Sequence, residues 1–445
     1  MASTYLERNM TGNTASTKMT FSCWLKKSNP ATDGRLFGAQ ALACHSYWLS
    51  TGELRVDFSQ KDSGSVVAAL KTNRKFRDVN AWYHIVFALD TTLGTADDRI
   101  KLWVNGVQET SFDVRTNASQ NATYAYGQSG YYTVGARTSN QGGAGHYFDG
   151  LMSHVHYCDG YAYTPSEFGS TDATTGEWKI NTSPSVSYGT NGFFLLKDNN
   201  SANDQSGNSN NFTASGNLTF THDNPSNVFC ALNPVTGRST PTYSLGNLKT
   251  TSSSDGHVVF GTIGSKAGYY EIKLGQNPNG GNGNGLTFGT FDSNFSDNNL
   301  DSTNRREYKT NHGYTTNYSI DIGNGAGTTT GVSAAAGDII NVAWKNGKLY
   351  CGKNGTYFFS ANPSNNTDGS TQVTLNDSSA YQLPISKSNI DGMNNSEWNF
   401  GNGYFGTTAI TSNSGNGYQD ANGQGKFQYQ PPTGCYALCT KNLNI

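Results

Sequence analysis

The chain has 445 residues, of which 35% are hydrophobic and only 14% charged, with 52 glycines, 25 tyrosines and a formal net charge of −2. Charge well below the usual quarter places the polarity in Asn, Ser, Thr and Gly, which reads as a loop-rich all-β protein long enough for two or three domains and unlike a helical enzyme. The longest basic run, Arg74-Lys75-Phe76-Arg77, gives counterion release too little to act on, which excludes nucleic acid as a partner.

In chain order, the first strand is expected to begin by about Lys18, in TKMTFSCWLKKS, followed by short strands in RLFGA and SYWLSTGELRVDF. The run from Trp82 to Leu89 alternates Tyr83, Ile85, Phe87 and Leu89 on one face with Trp82, His84, Val86 and Ala88 on the other. Both faces are largely apolar, so a central strand is predicted. Ile100, Leu102 and Val104 share one face of the next strand, with Lys101 and Trp103 opposite, and the run closes on Asn105-Gly106. Asn-Gly tolerates positive φ at both central positions and is a strong hairpin signal.

The same pattern returns in GDIINVAWKNGKLYCGKNGTYFF, residues 337–359, where Asn346-Gly347 and Asn354-Gly355 specify three short antiparallel strands. Between the two patterns, residues 171–220 are polar and turn-rich, and only Gly192 to Lys197 reads as a strand, assigned to the first sandwich. The expected architecture is all-β, two tandem antiparallel β-sandwiches, with domains at 1–220 and 221–445.

Seven cysteines, at 23, 44, 158, 230, 351, 435 and 439, follow no disulfide framework. Along a strand Cys435 and Cys439 stand about 13 Å apart, too far to bridge, so buried free thiols are expected. No apolar run approaches a membrane span, and MASTYLERNMTG lacks the basic and apolar regions of a secretory signal, so synthesis in a cytosol is expected. His154 and His156 lie two apart on one strand with Asp159 nearby, but no third ligand at suitable spacing is evident, and both read as structural. Gly-x-Ser-x-Gly and a lysine-bearing phosphate loop are absent.

TKMTFSCWLK, AWYHIVFALD, DRIKLWVNGV, YTVGAR and YFDGLMSHVHYCDGYAYTPSEFG resemble, in that order, the pattern of laminin-G-like, concanavalin A-like jelly rolls over about residues 1–170. GYYEIKL, LTFGTF, GDIINVAWKNGKLYCGKNGTYFF and EWNFGNGYF resemble a SPRY domain. Together with an LNP joint at Leu232 to Pro234 and the ending PPTGCYALCTKNL, the order of parts resembles virion structural proteins of tailed bacteriophages.

The resemblance implies a jelly roll followed by a SPRY-like sandwich in a non-enzymatic virion surface protein, a fibre, capsid decoration or tail adhesin. It implies synthesis in the host cytoplasm, other virion proteins and a homo-oligomer as partners, no membrane insertion, and host-surface glycan or receptor as ligand. A purely structural joint and a glycan depolymerase are the alternatives. Against the depolymerase, none of the eight glutamates has another within four positions, so the closely spaced carboxylate pair of strand-borne glycanases is missing. Glycan contacts are expected from Tyr124, Tyr126, Tyr131 and Tyr132 in the first half and Tyr308, His312, Tyr314 and Tyr318 in the second, with a core or interface role for alternate tyrosines equally open. Laminin-G-like domains often hold calcium, which makes Asp149 and Asp159 candidate ligands beside Asp97 and Asp98, although Asp is common in turns for conformational reasons alone.

Overall fold

The computed structural model describes the chain apart from residues 1–3, 15, 40–43, 60–64, 138–144, 198–200, 236–240, 252–256, 277–285, 293–304, 311–318, 323–328, 368–372, 376–380, 389–394 and 444–445. The chain divides into two units, Met1–Phe220 and Thr221–Ile445, each built from antiparallel sheets.

In the first unit an eight-stranded sheet runs in the order Phe112–Thr116, Val66–Thr72, Leu54–Ser59, Cys44–Trp48, Gly34–Ala39, Gly130–Val134, Tyr5–Met10 and Thr213–Ser215. A six-stranded sheet orders Phe193–Leu195, Gly150–Asp159, Lys18–Lys27, Tyr83–Asp90, Ile100–Val104 and Val107–Gln108. Period-2 alternation sends Leu54, Val56 and Phe58 from the first sheet and Tyr83, Ile85, Phe87 and Leu89 from the second into one shared core. Phe37 is its aromatic hub, with ring centroids of Phe21 at 4.6 Å and of Tyr126 and Tyr157 at 5.3 Å. The expected central strand is confirmed, since Tyr83–Asp90 lies between Lys18–Lys27 and Ile100–Val104.

The first strand, however, is Tyr5–Met10, ahead of the expected start near Lys18. Leu6 and Met10 are buried, but Arg8 takes the intervening position on the same side, where its Nη1 donates to the Asn211 carbonyl at 2.6 Å, so the apolar alternation that marks a strand is broken.

The outer side of the six-stranded sheet is also covered. Val86, Ala88, Trp103, Cys158 and Phe168 form a second apolar cluster with Tyr163, Val186 and Tyr188. Within this layer Trp178 Nε1 donates to His84 Nδ1 at 2.9 Å, and His84 Nε2 lies 2.8 Å from Ser22 Oγ. Indole N–H is only a donor, so Nδ1 accepts and Nε2 carries the imidazole proton. Burial pushes the His84 pKa down to about 3. Asn105 and Gly106, with φ of 49° and 78°, turn the adjacent hairpin in the expected two-residue geometry.

The second unit pairs Thr242–Ser244, Lys249–Thr251, Glu397–Asn399, Gly268–Lys273, Ile339–Lys345, Lys348–Lys353 and Thr356–Tyr357 in one sheet, which Val373–Thr374 and Tyr436–Ala437 also join. The other holds His257–Phe260, Gln382–Ser388, Leu286–Asp292, Arg305–Thr310, Ser319–Ile322 and Thr329–Ser333. Asn346-Gly347 and Asn354-Gly355 turn both expected hairpins with positive φ at all four residues. Tyr270, Ile272, Val342, Trp344 and Trp398 lie in the core, whereas Tyr269, Ala343 and Tyr350 of the same sheet pack against Phe427, Cys435 and Ala437 of the C-terminal segment.

That segment is held by Glu271, whose two carboxylate oxygens accept from Tyr269 Oη (3.0 Å), Asn399 Nδ2 (3.0 Å), Gln428 N (3.0 Å) and Tyr429 N (2.8 Å). Burial raises the Glu271 carboxyl and the four donors pull it back, leaving it at about 7. All seven cysteines are free and buried, as expected.

Candidate functional site

A cluster of polar and charged side chains lies on the outward side of the eight-stranded sheet in the first unit. Because Leu54, Val56 and Phe58 face the core, Arg55 and Asp57 face outward. Cross-strand register aligns Arg35 with Tyr47 and Tyr47 with Arg55, and in the next row Thr133 with Gly38, Gly38 with His45, and His45 with Asp57. A bulge between Arg35 and Phe37 makes this alignment possible. Leu36 and Phe37 both enter the core, so alternation skips one residue and Arg35 and Gly38 emerge on the same side.

The side chains interlock. Tyr47 Oη donates to Asp57 Oδ2 at 3.1 Å and Arg55 Nε donates to Asp57 Oδ1 at 2.7 Å. The Arg35 guanidinium carbon sits 4.1 Å from the Tyr47 ring centroid, and the Arg35 N–H donates to the His146 carbonyl at 2.9 Å. Burial, then the neighbouring Arg35, Arg137 and His146, push the His45 pKa down to about 3, so this imidazole is neutral near pH 7. Burial and then Asp57 raise the Tyr47 hydroxyl to about 12, so it remains a hydrogen-bond donor. Arg35, Tyr47 and Arg137 are partly exposed, while His45 and Asp57 are buried. The row Thr133, Gly38, His45 and Asp57 is buried, so the accessible part of this face is the neighbouring row of Arg35, Tyr47 and Arg55. The partly exposed ring and guanidinium groups of this row, backed by the buried His45 and Asp57, can stack on and hydrogen-bond a polyhydroxylated ligand.

The expected tyrosines are distributed differently. Tyr124, Tyr126 and Tyr132 are core residues at 2%, 2% and 0% exposure, which corrects their assignment as sugar contacts. Their rings fill the sandwich: Tyr124 and Tyr126 pack edge-on to Phe58, and Tyr132 Oη accepts from Gly127 N at 2.8 Å. Tyr131 alternates with Tyr132, is partly exposed, and lies on the outward side opposite Asn9. Tyr308 occupies a strand position aligned with Phe288 and Ile322, while His312, Tyr314 and Tyr318 lie outside the described residues.

Neither calcium candidate is part of a ligand cluster. Asp159 is 2% exposed, and its carboxylate accepts from Thr14 Oγ1 at 2.8 Å and Asn191 N at 3.1 Å. Asp149 is partly buried, which raises its carboxyl from the ordinary value. Asp97 pairs with Arg115 and Asp98 with Lys101. Among the described residues no group of three or more His, Cys, Asp or Glu side chains could hold a metal ion. His154 and His156 are structural, with His156 stacked 3.9 Å from Phe194 and its Nδ1 2.9 Å from Tyr188 Oη.

Arg35, His45, Tyr47, Arg55 and Asp57 were not singled out by sequence reasoning. The signal was present in LRVDF, where Arg55 and Asp57 alternate with core residues, but the bulge and the cross-strand register that join them to Arg35 and Tyr47 have no sequence signature.

Residues 2–168 match the model of the concanavalin A-like lectin/glucanases superfamily, less than half of the chain. No curated protein matches the sequence. Among solved structures, the chain is similar to the sialidase CBM40 of Ruminococcus gnavus bound to α2,3-sialyllactose (14% identity, 36% of this chain and 94% of that one, TM-score 0.27). It is also similar to the SPRY domain of human HERC1 (13% identity, 38% and 96%, TM-score 0.27) and to domains LG4-5 of the mouse laminin α1 chain (9% identity, 88% and 85%, TM-score 0.28). None of these likenesses is close enough to transfer a ligand or an activity.

Proposed function

We propose that the protein is a non-enzymatic glycan-binding protein whose first unit supplies the binding face. The observation that carries this reading is the outward row of partly exposed Arg35, Tyr47 and Arg55, held in place by the buried Asp57. It offers a ring for stacking and both donors and acceptors for hydroxyl groups, the combination that selects sugars. The match of residues 2–168 to a lectin and glucanase superfamily model supports the same reading. Asp57 is buried and engaged by Tyr47 and Arg55, so it positions those two side chains rather than serving as half of an acid–base pair.

The biological setting we propose is the surface of a tailed-bacteriophage virion, as a fibre, capsid decoration or tail adhesin made in the host cytoplasm. Support comes from the sequence resemblance, the order of a laminin-G-like half, the LNP joint, a SPRY-like half and the PPTGCYALCTKNL ending. Other virion proteins and further copies of the same chain are the proposed partners, through a symmetric folded surface.

A glycan array probed with the purified chain tests the binding reading. Wild type is expected to retain a small set of glycans and Tyr47→Ala to lose them; retention of no glycan refutes the reading. Release of reducing sugar from a retained polysaccharide refutes the non-enzymatic part.

A further inference from the structure

We propose that the hairpin of Gly169–Thr171 and Trp178–Ile180 is an acid-released strap over the outer side of the six-stranded sheet, with His84 as the group that takes the proton. The hairpin stands apart from both large sheets of the first unit: its strands pair with each other, Gly169 with Ile180 and Thr171 with Trp178, in a separate two-stranded sheet. Such a ribbon is marginal in water by itself, so its place depends on side chains. Phe168, 1% exposed, roots it at one end. Further along, Lys179 is exposed while Trp178 is partly buried, with its ring against Gly106, where an added Cβ would fall 2.5 Å from it. From there Trp178 Nε1 donates to His84 Nδ1 at 2.9 Å.

That bond runs in one direction only. An indole N–H cannot accept, and an imidazolium donates from both nitrogens, so protonating His84 sets two N–H groups against each other and the bond is lost. Ser22 Oγ, 2.8 Å from Nε2, accepts from either state and does not oppose the change. Trp24 lies over the imidazole face at 4.9 Å and favours its charged form, but it sits on the neighbouring strand and stays there whether or not the hairpin is seated.

His84 is 0% exposed, and burial, then His154, holds its pKa at about 3. The other titratable and charged groups on this side do not offset that. His154 and His156 of the strand Gly150–Asp159 repel a charged His84, and Lys197 repels His156 in turn. Burial raises Cys158 and Tyr188, which stay neutral, and the Tyr163 hydroxyl is bonded to Ser187 N. Lys26 is bonded to Asn80, Lys101 to Asp98, and Lys179 to Asp172, whose carboxyl that contact holds well below the ordinary range. Glu167 is partly exposed and Glu177 exposed on the hairpin side. Once freed, the imidazole returns to its ordinary 6.5, so proton uptake favours the open hairpin about 30-fold more at pH 5 than at pH 7.5. The proposed sugar-binding row lies on the eight-stranded sheet, so the strap does not rest on the glycan reading.

Hydrogen exchange of the indole N–H groups in the intact chain, followed by NMR and corrected for the intrinsic rate at each pH, tests this. The signals missing from Trp178→Phe and Trp48→Phe identify the two groups to compare. Trp48 Nε1 donates to the Gly52 carbonyl at 3.1 Å in the core of the same unit, so it reports opening of the whole unit. At pH 7.5 Trp178 is expected to exchange about tenfold or more faster than Trp48, because the hairpin opens without the sheet. At pH 5 its protection is expected to fall about 30-fold. His84→Gln, whose amide oxygen accepts from the indole without titrating, is expected to erase that fall. Exchange of Trp178 at the rate of Trp48, or a fall that persists in His84→Gln, overturns the inference. Should His84→Gln not fold, wild type decides: a change in Trp178 protection below about threefold between the two pH values overturns it as well.

Discussion

Acidification from pH 7.5 to 5.5 is expected to move the two halves of this chain in opposite directions. In the first unit His45 and His84 have folded pKa values of about 3 against an ordinary 6.5, set first by burial. Between these values the unfolded chain binds protons that the folded chain refuses, so stability is lost as pH falls. Each group costs about 1.4 kcal/mol over this range, or ~3 kcal/mol for the two, and His156, pushed down by burial in the same way, adds to the loss. In the second unit Glu271 is raised from 4.5 to about 7, so the folded state binds the proton first and stability is gained, by about 2 kcal/mol over the same range. His222, lowered by burial, opposes part of that gain, and the raised Asp149 and Asp159 oppose part of the loss in the first unit. Variants therefore isolate each group. Hydrogen exchange read by mass spectrometry on the intact chain, corrected for intrinsic rates at each pH, follows peptides over Tyr83–Asp90 and Gly268–Lys273 separately. Protection should fall in the first and rise in the second. The rise should vanish in Glu271→Gln, and the fall should shrink by about 1.4 kcal/mol in His84→Gln. Equal slopes in both peptides, or a Glu271→Gln slope matching wild type, refute the reasoning.

Gly106→Ala is expected to cost more than the usual ~1 kcal/mol of a lost turn glycine, because the added Cβ falls 2.5 Å from the Trp178 ring at a φ of +78°. A red-shifted Trp emission and a lower melting temperature check it; an unchanged emission speaks against the packing of Trp178 on this turn. All seven thiols should resist iodoacetamide in the native chain and react in denaturant, counted by intact mass. Removing calcium with a chelator should leave the melting temperature unchanged, since the Asp159 carboxylate is already engaged by Thr14 and Asn191; a drop on chelation contradicts that.

Much of the fold could be read from local chemistry. Alternation over Tyr83–Asp90 identified a two-faced central strand, and three Asn-Gly pairs located three hairpin turns, because both signals depend on near neighbours alone. Tyr5–Met10 was hidden by Arg8, whose Nη1 donates to a carbonyl 203 residues away. The site was less legible for the same reason. Tyr124, Tyr126 and Tyr132 sit among Gly and Ser in a segment that looks like surface loop, yet the sandwich folds them against Phe37 and Phe58. Arg35, Tyr47 and Asp57 look like ordinary outward positions until register places them side by side.

The central claim, that the outward face of the eight-stranded sheet binds sugar, is tested most directly by a crystal structure of the chain with the tightest glycan from the array. The account predicts sugar density over the Tyr47 ring, beside Arg35 and Arg55. Density bound elsewhere, with this face unchanged and bare, contradicts it.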